Sequence, residues 1–218
     1  MDLLSMFIKG GFVMWPILVC SVVAVAIIIE KLIVLKKSRQ NIPAFVVKVR
    51  NYLKRKDVVG AIGLCMEEKT PISGIVKKAL KKHKHGHQRV VEAIESAGRL
   101  EINKLEKGLS TLATIAGAAP MLGFLGTVTG MIGAFMKVQE LQGAAGPADL
   151  AGGIWEALLT TAFGLFVGIP VLAVYNYLHG LIQKIVVDME VVVTDILDLL
   201  DESGKDKTLE NSDDEIYV

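Results

Sequence analysis

The chain has 218 residues, of which 52% are hydrophobic and 22% charged, with a net charge of +1 and a mean hydropathy of +0.48. That is too apolar for an ordinary soluble domain and too charged for a chain immersed in lipid throughout, so the charges must be segregated along the sequence. The near-neutral balance averages over unlike regions and gives no basis for a nucleic-acid partner.

The first apolar stretch, "FVMWPILVCSVVAVAIII", runs from Phe12 to Ile29 without a charge. As a helix it is about 27 Å long, just enough for a bilayer core of roughly 30 Å. Pro16 falls in its first turns, where a missing N–H does least harm, and Trp15 sits where an interfacial anchor is expected. Residues 1–36 are therefore read as an N-terminal segment with the first transmembrane helix. There is no basic n-region and no small-x-small site before or after the run, so it does not read as a cleaved signal peptide. Cys20, in this run, and Cys65, in a Lys-rich segment, show no ligand spacing and no framework. They read as free thiols in a reducing compartment.

Residues 37–110 read as a helical cytoplasmic domain. Pro43 suits a first helical turn. "TPISGIVKKALKKHKHG" offers Thr70 as an N-cap, Pro71 at the first helical position and Gly86 as a stop. From about Gln88, Val91, Ile94, Leu105 and Leu109 recur at helical intervals. With only Gly98 and Gly108 as weak breakers, one long helix from about 88 to 136 is expected. "HKHGH", His83 to His87, has no cysteine or carboxylate spaced to complete a metal site, so it reads as a solvated basic helix end and no metal is expected. The Lys-rich run around it reads as a solvated helix face, with contact to anionic lipid headgroups as the alternative.

The second span, residues 111–136, carries Gly117, Gly123, Gly126, Gly130 and Gly133. Small residues let helix backbones approach closely in lipid, so this helix reads as interior to a bundle, with Pro120 as a kink site. Residues 137–153 form a loop holding Lys137, Glu140 and Asp149. The third span, 154–178, is long enough to cross with tilt. Residues 179–202 continue as an amphipathic helix with Val186, Val187, Val191, Val193, Ile196, Leu197 and Leu200 on one broad stripe. Residues 203–218 are polar and acidic and are expected to be disordered.

Orientation follows from the basic residues. Of the 24 Lys and Arg, 19 lie between Lys31 and Lys107. The positive-inside rule places that segment and the tail in the cytoplasm and the N-terminus outside. The fold class is thus an all-α integral membrane protein of three transmembrane helices with long helical cytoplasmic extensions.

Glu156 stands two residues inside the third span. A carboxylate in hydrocarbon costs at least a few kcal/mol, so it faces protein or water or is protonated. Either it lines an ion path or it sits cheaply at the outer interface. Thr160 shares its face at i+4, and Thr161 lies about 140° round the helix. Thr127 and Thr129 mark the second span. Each threonine alone is explained by back-bonding to a carbonyl one turn earlier; Glu156, Thr161 and Thr127 together suggest a polar path. Asn176 is a candidate for a hydrogen bond across helices. No phosphate-binding loop, dinucleotide fingerprint, zinc-protease motif or nucleophile elbow occurs, so an enzyme is not expected.

"APMLGFLGTVTGMIGAF", followed by a short loop and "GGIWEALLTTAFGLFVGIPVLAVYNYL", resembles the core signature of the ExbB/TolQ/MotA proton-channel family, as does "GGFVMWPILVCSVVAVAIIIEKL". Three spans with a large loop after the first resemble its ExbB/TolQ branch, and ExbB most. The resemblance covers residue 8 to about 200. It implies a multi-pass protein of the bacterial inner membrane and a homo-oligomer, a pentamer. The second and third spans would line a pore around the single helices of an ExbD/TolR-like partner that carries a membrane Asp. Protons are the coupling ion and no cofactor is implied. The complex would act through a TonB- or TolA-like transducer, amid membrane lipids. By motif position Thr127, Glu156 and Thr161 would line the pore, and Thr160, a departure from the small residue usual in the family, would line it beside them. Gly123, Gly126, Gly130, Gly133 and Pro170 would pack its helices. A TolQ-like role in envelope integrity or gliding, a passive scaffold for the partner and a self-sufficient channel stand as alternatives.

Overall fold

The computed structural model describes residues 7–38, 42–68 and 70–214, the side chains of residue 37 and of 202–214 aside. After a short turn at residues 7–9, the chain is built from α1 (Met14–Ser38), α2 (Ile42–Lys54), α3 (Val58–Glu67), α4 (Pro71–Lys82), a 3₁₀ turn (His83–His85), α5 (His87–Glu106), α6 (Leu109–Glu140) and α7 (Pro147–Asp214). No strand occurs among the described residues. The protein is all-α, and three stretches, in α1, α6 and α7, are long and apolar enough to cross a membrane.

The helix boundaries correct several expectations. The long helix expected from 88 to 136 is broken at Lys107 and Gly108. Lys107 (φ −51°, ψ 125°) and Gly108 (φ 87°, ψ −16°) have the dihedrals of a type II turn, whose third residue needs positive φ and so favours glycine. Gly108 thus ends one helix and opens the next. The loop expected over 137–153 shrinks to Leu141–Gly146, because α6 runs to Glu140 and α7 begins at Pro147. Proline suits that first position, and Asp149 accepts a hydrogen bond from the Gly146 amide at 2.9 Å. At the other end α7 runs to Asp214, where disorder was expected from 203; the segment is charged but holds no proline after Pro170 to stop a helix. Residues 215–218 lie outside the described residues.

The chain divides into two compact units, Met1–Leu32 with Gly108–His179, and Ile33–Lys107 with Gly180–Val218. In the second, α4 starts as the sequence led one to expect. Thr70 caps the Ser73 amide while the Ser73 hydroxyl accepts from the Thr70 amide, with Pro71 in the first turn. The core of this unit gathers Phe45, Val49, Leu53, Ile72, Ile75, Val76 and Leu80 with Ile182, Ile185, Met189, Val192 and Ile196. The stripe of α7 is therefore 182–185–189–192–196, a 3/4 spacing. Val187 and Val191, assigned to it from sequence, are exposed.

The first unit reverses the usual order of inside and outside. Val19, Val22, Val25, Phe124, Phe135, Leu158 and Phe166 are exposed, while Ala119, Gly123, Gly126, Gly130, Ala157, Thr160 and Gly164 are buried. Large apolar side chains facing out and small ones facing in are the pattern of a bundle whose solvent is hydrocarbon.

Candidate functional site

The site is built on the contact of α6 with α7. A Cβ on Gly130 would stand 2.7 Å from the Gly153 carbonyl oxygen. One on Gly164 would stand 2.6 Å from the Ala119 carbonyl, and one on Gly123 2.9 Å from that of Thr160. Side chains larger than hydrogen would push the backbones apart. Gly123, Gly126 and Gly130 thus pack α6 against α7. Gly133 does not: it is exposed, a Cβ there would meet nothing within 4 Å, and Ala134 continues the row against Gly153. Periodicity alone does not set Gly133 apart, since it lies about 20° round the helix from Gly126; it stands at the edge of the 123–126–130–134 face, where α7 offers no atom to meet it. Pro170 is exposed too; the packing proline is Pro120, whose ring abuts Gly168. The facing row Gly153, Ala157, Thr160, Gly164 and Gly168 obeys the same 3/4 rule, a signal that hydropathy and motif position alone pass over.

This close approach brings hydroxyls to carbonyls. Thr127 Oγ1 and Thr161 Oγ1 form a hydrogen bond across the two helices. Ala157 O lies 3.2 Å from the Thr127 hydroxyl and Gly123 O 3.1 Å from that of Thr161. Two hydroxyls have two protons to give and more acceptors than they can satisfy at once, so the cluster can exchange donors without a side chain moving. Both threonines are half-buried.

Thr160 behaves otherwise. It is wholly buried against Gly126, and its hydroxyl donates within its own helix toward Glu156 O at 2.9 Å and Ala157 O at 3.0 Å. The expectation that Thr160 lines a path is corrected: a side chain enclosed between two helices of one chain offers no surface to share. Thr129 back-bonds to Gly126 O at 3.1 Å, the bland reading for membrane threonines. Glu156 is half-buried at the start of α7, with its carboxylate against Gly11. Asn176 is exposed and makes no side-chain hydrogen bond among the described residues, so the interhelical bond expected of it is not formed within the chain. Next to it Tyr175 and His179 stack, ring centroids 6.0 Å apart.

The histidine run is spent elsewhere. His83 Nδ1 lies 2.6 Å from Leu80 O, and His87 pairs with Asp201 at 2.9 Å. Among the described residues no three metal-ligating side chains gather.

The sequence pattern of the MotA/TolQ/ExbB proton channel family matches residues 67–191, which include α6 and every threonine and carboxylate of this site. The chain belongs to this family. It is 32% identical over 190 residues to an ExbB homolog of Methanothermobacter thermautotrophicus named for biopolymer transport, covering 87% of this chain and 67% of that one. It is 28% identical over 203 residues to the biopolymer transport protein ExbB of Neisseria meningitidis, covering 86% and 89% of the two chains. Over 91 residues, 40% of this chain and 39% of the other, it is 41% identical to the Tol-Pal system protein TolQ of Pseudomonas aeruginosa. These matches put it in the ExbB/TolQ branch of a membrane-protein family.

Proposed function

We propose that this chain is an ExbB-type subunit of a motor driven by the proton-motive force in the bacterial inner membrane. Five copies surround the single-span helices of an ExbD/TolR-like partner, whose membrane Asp carries the proton. Its passage drives a TonB-like transducer that energises transport across the outer membrane. Thr127 and Thr161 hold the path through hydroxyls or the waters they bind, and Glu156 attracts or relays protons near the outer end of α7.

The observation that carries this reading is the joined hydroxyl pair of Thr127 and Thr161, set among backbone carbonyls in two largely apolar membrane-length stretches. Polar groups in a span are expensive and mark ion paths, and a hydroxyl–carbonyl cluster can pass a proton by reorientation. The likeness to TolQ over 91 residues favours as a second reading a TolQ-type motor, with the same path and a TolA-like transducer for envelope integrity.

Proton flux into liposomes under an imposed pH gradient and potential tests the path. The expected result is flux from the complex with its co-purified one-span partner, none from this chain alone, and a fall of about tenfold or more, at least ~1.4 kcal/mol at the barrier, for Glu156→Ala or Thr161→Ala. Wild-type flux in both variants would remove these residues from the path, and flux from the chain alone would indicate an independent channel. A complex that supports energised uptake in cells with every one of these hydroxyls removed would be a scaffold instead.

A further inference from the structure

Glu156 reaches 145 residues back along the chain. A Cβ placed on Gly11 would overlap its Oε1 and stand 2.7 Å from its Cδ and 3.4 Å from its Cγ. The carboxylate therefore lies directly on the backbone of Gly11, in space that every other residue would fill. Gly11 has φ +71°, the left-handed region that glycine enters freely.

The segment that presents Gly11 is anchored. The Gly10 amide donates to Phe7 O at 3.2 Å, and Gly11 O accepts from the Met14 amide at 3.4 Å. Phe7 meets Trp15 edge to face, ring centroids 5.3 Å apart, and Val13, Met14 and Ile17 are buried. Gly11 also sits just ahead of α1, a helix of 25 residues. The Met14 and Trp15 amides at the start of this helix donate to Gly11 O and Phe12 O, and residue 16 is proline, so what this end presents is the positive potential of the helix dipole. No hydrogen bond or ion pair of the Glu156 side chain occurs among the described residues; the close approach that bears on the carboxylate is to the bare backbone of Gly11.

We propose that Gly11 is a positioning residue for the proton path: the turn at Gly10–Gly11 seats the Glu156 carboxylate at the start of α1 and fixes where it meets the protons. This rests on the reading of Glu156 as a path residue. The turn acts only through Glu156, so its effect must depend on the length of the residue-156 side chain.

The test is proton flux in liposomes from the complex with its co-purified partner, normalised to assembled complex. Gly11→Ala adds the Cβ and a left-handed strain; Gly11→Asn adds the same Cβ on a residue that tolerates that backbone. Gly143→Ala is the control for strain, having φ +85° and open space around it. Both Gly11 variants are expected to lower flux about tenfold and Gly143→Ala to leave it unchanged. Glu156→Asp, one methylene shorter, lowers flux alone but raises it several-fold in the Gly11→Ala background, a coupling that a merely structural glycine would not show. Wild-type flux in either Gly11 variant while Glu156→Ala is inactive would overturn the proposal, as would a loss that Glu156→Asp does not relieve. Wild-type flux in Glu156→Ala alone would overturn the path reading itself, and this proposal with it.

Discussion

Thr160 and Thr161 are neighbours in the chain and opposites in role, because one residue turns a helix by 100°. Thr160 points into the face of α6 and fills the space Gly126 leaves, its hydroxyl turned back on its own helix. Thr161 points to the edge of that contact, where its hydroxyl reaches Thr127 and the Gly123 carbonyl. The same logic of surroundings governs Cys65 in the second unit, which is 5% exposed. Burial pushes its thiol from 9.0 up to about 11, against a smaller opposing pull from the Lys77 ammonium. The raised value means that the fold favours the neutral thiol. That contribution to stability is intact below pH 9 and is lost as pH rises through about 11. Only the thiolate alkylates, so in a Cys20→Ser background Cys65 should react with iodoacetamide at pH 8.5 about a hundredfold more slowly than an unperturbed thiol, two pKa units being a factor of ~100 in thiolate. Labelling at the rate of a free thiol would show that the side chain is neither buried nor shifted.

At the scale of elements, α6 and α7 are held by the absence of side chains. Gly130 and Gly133 test this because they stand three residues apart with opposite surroundings. Gly130→Ala drives a methyl onto the Gly153 carbonyl and should destabilise the detergent-solubilised protein by about 1–3 kcal/mol. Gly133→Ala enters open space and should be neutral or stabilising, by up to about 1 kcal/mol of helix propensity. Equal Tm shifts for the two would contradict the close approach. Much of this is legible in the sequence. The three apolar runs and the cap at Thr70 and Pro71 follow from hydropathy and spacing, while the pairing of the glycine-rich helix with the Glu- and Thr-bearing one is what the family resemblance implies. Treating the glycines as a set misplaces Gly133, and its angle round the helix, within about 20° of Gly126, does not reveal that α7 leaves it open. Counting valines without Ile182, Ile185 and Met189 misplaces the stripe of α7. Gly108 reads as a weak breaker, but only a positive φ distinguishes a glycine that ends a helix from one that a helix carries through, as at Gly98. The seat of Glu156 on Gly11 joins residues 145 apart, and no local pattern announces such a contact.

For the whole molecule, the two units are stabilised against different solvents. The second buries Phe45, Leu53, Ile72, Leu80, Ile185 and Ile196, a core driven by the removal of apolar surface from water. Urea weakens that drive directly. The first unit exposes its large apolar residues and buries small ones, so in detergent it gains little from water exclusion between helices. It is held instead by close contact and by backbone hydrogen bonds that have no water to exchange with. Both tryptophans, Trp15 and Trp155, lie in this unit, so their emission reports it alone, whereas far-ultraviolet circular dichroism reports helix in both. In mild detergent, increasing urea should therefore first remove part of the helical signal while tryptophan emission stays unchanged, and move the emission only at higher concentration, if at all. Probes that fail to coincide are the signature of more than one transition. Superimposable curves from the two would mean that the chain unfolds as one cooperative body, and that the division between a water-driven and a lipid-adapted unit has no thermodynamic counterpart.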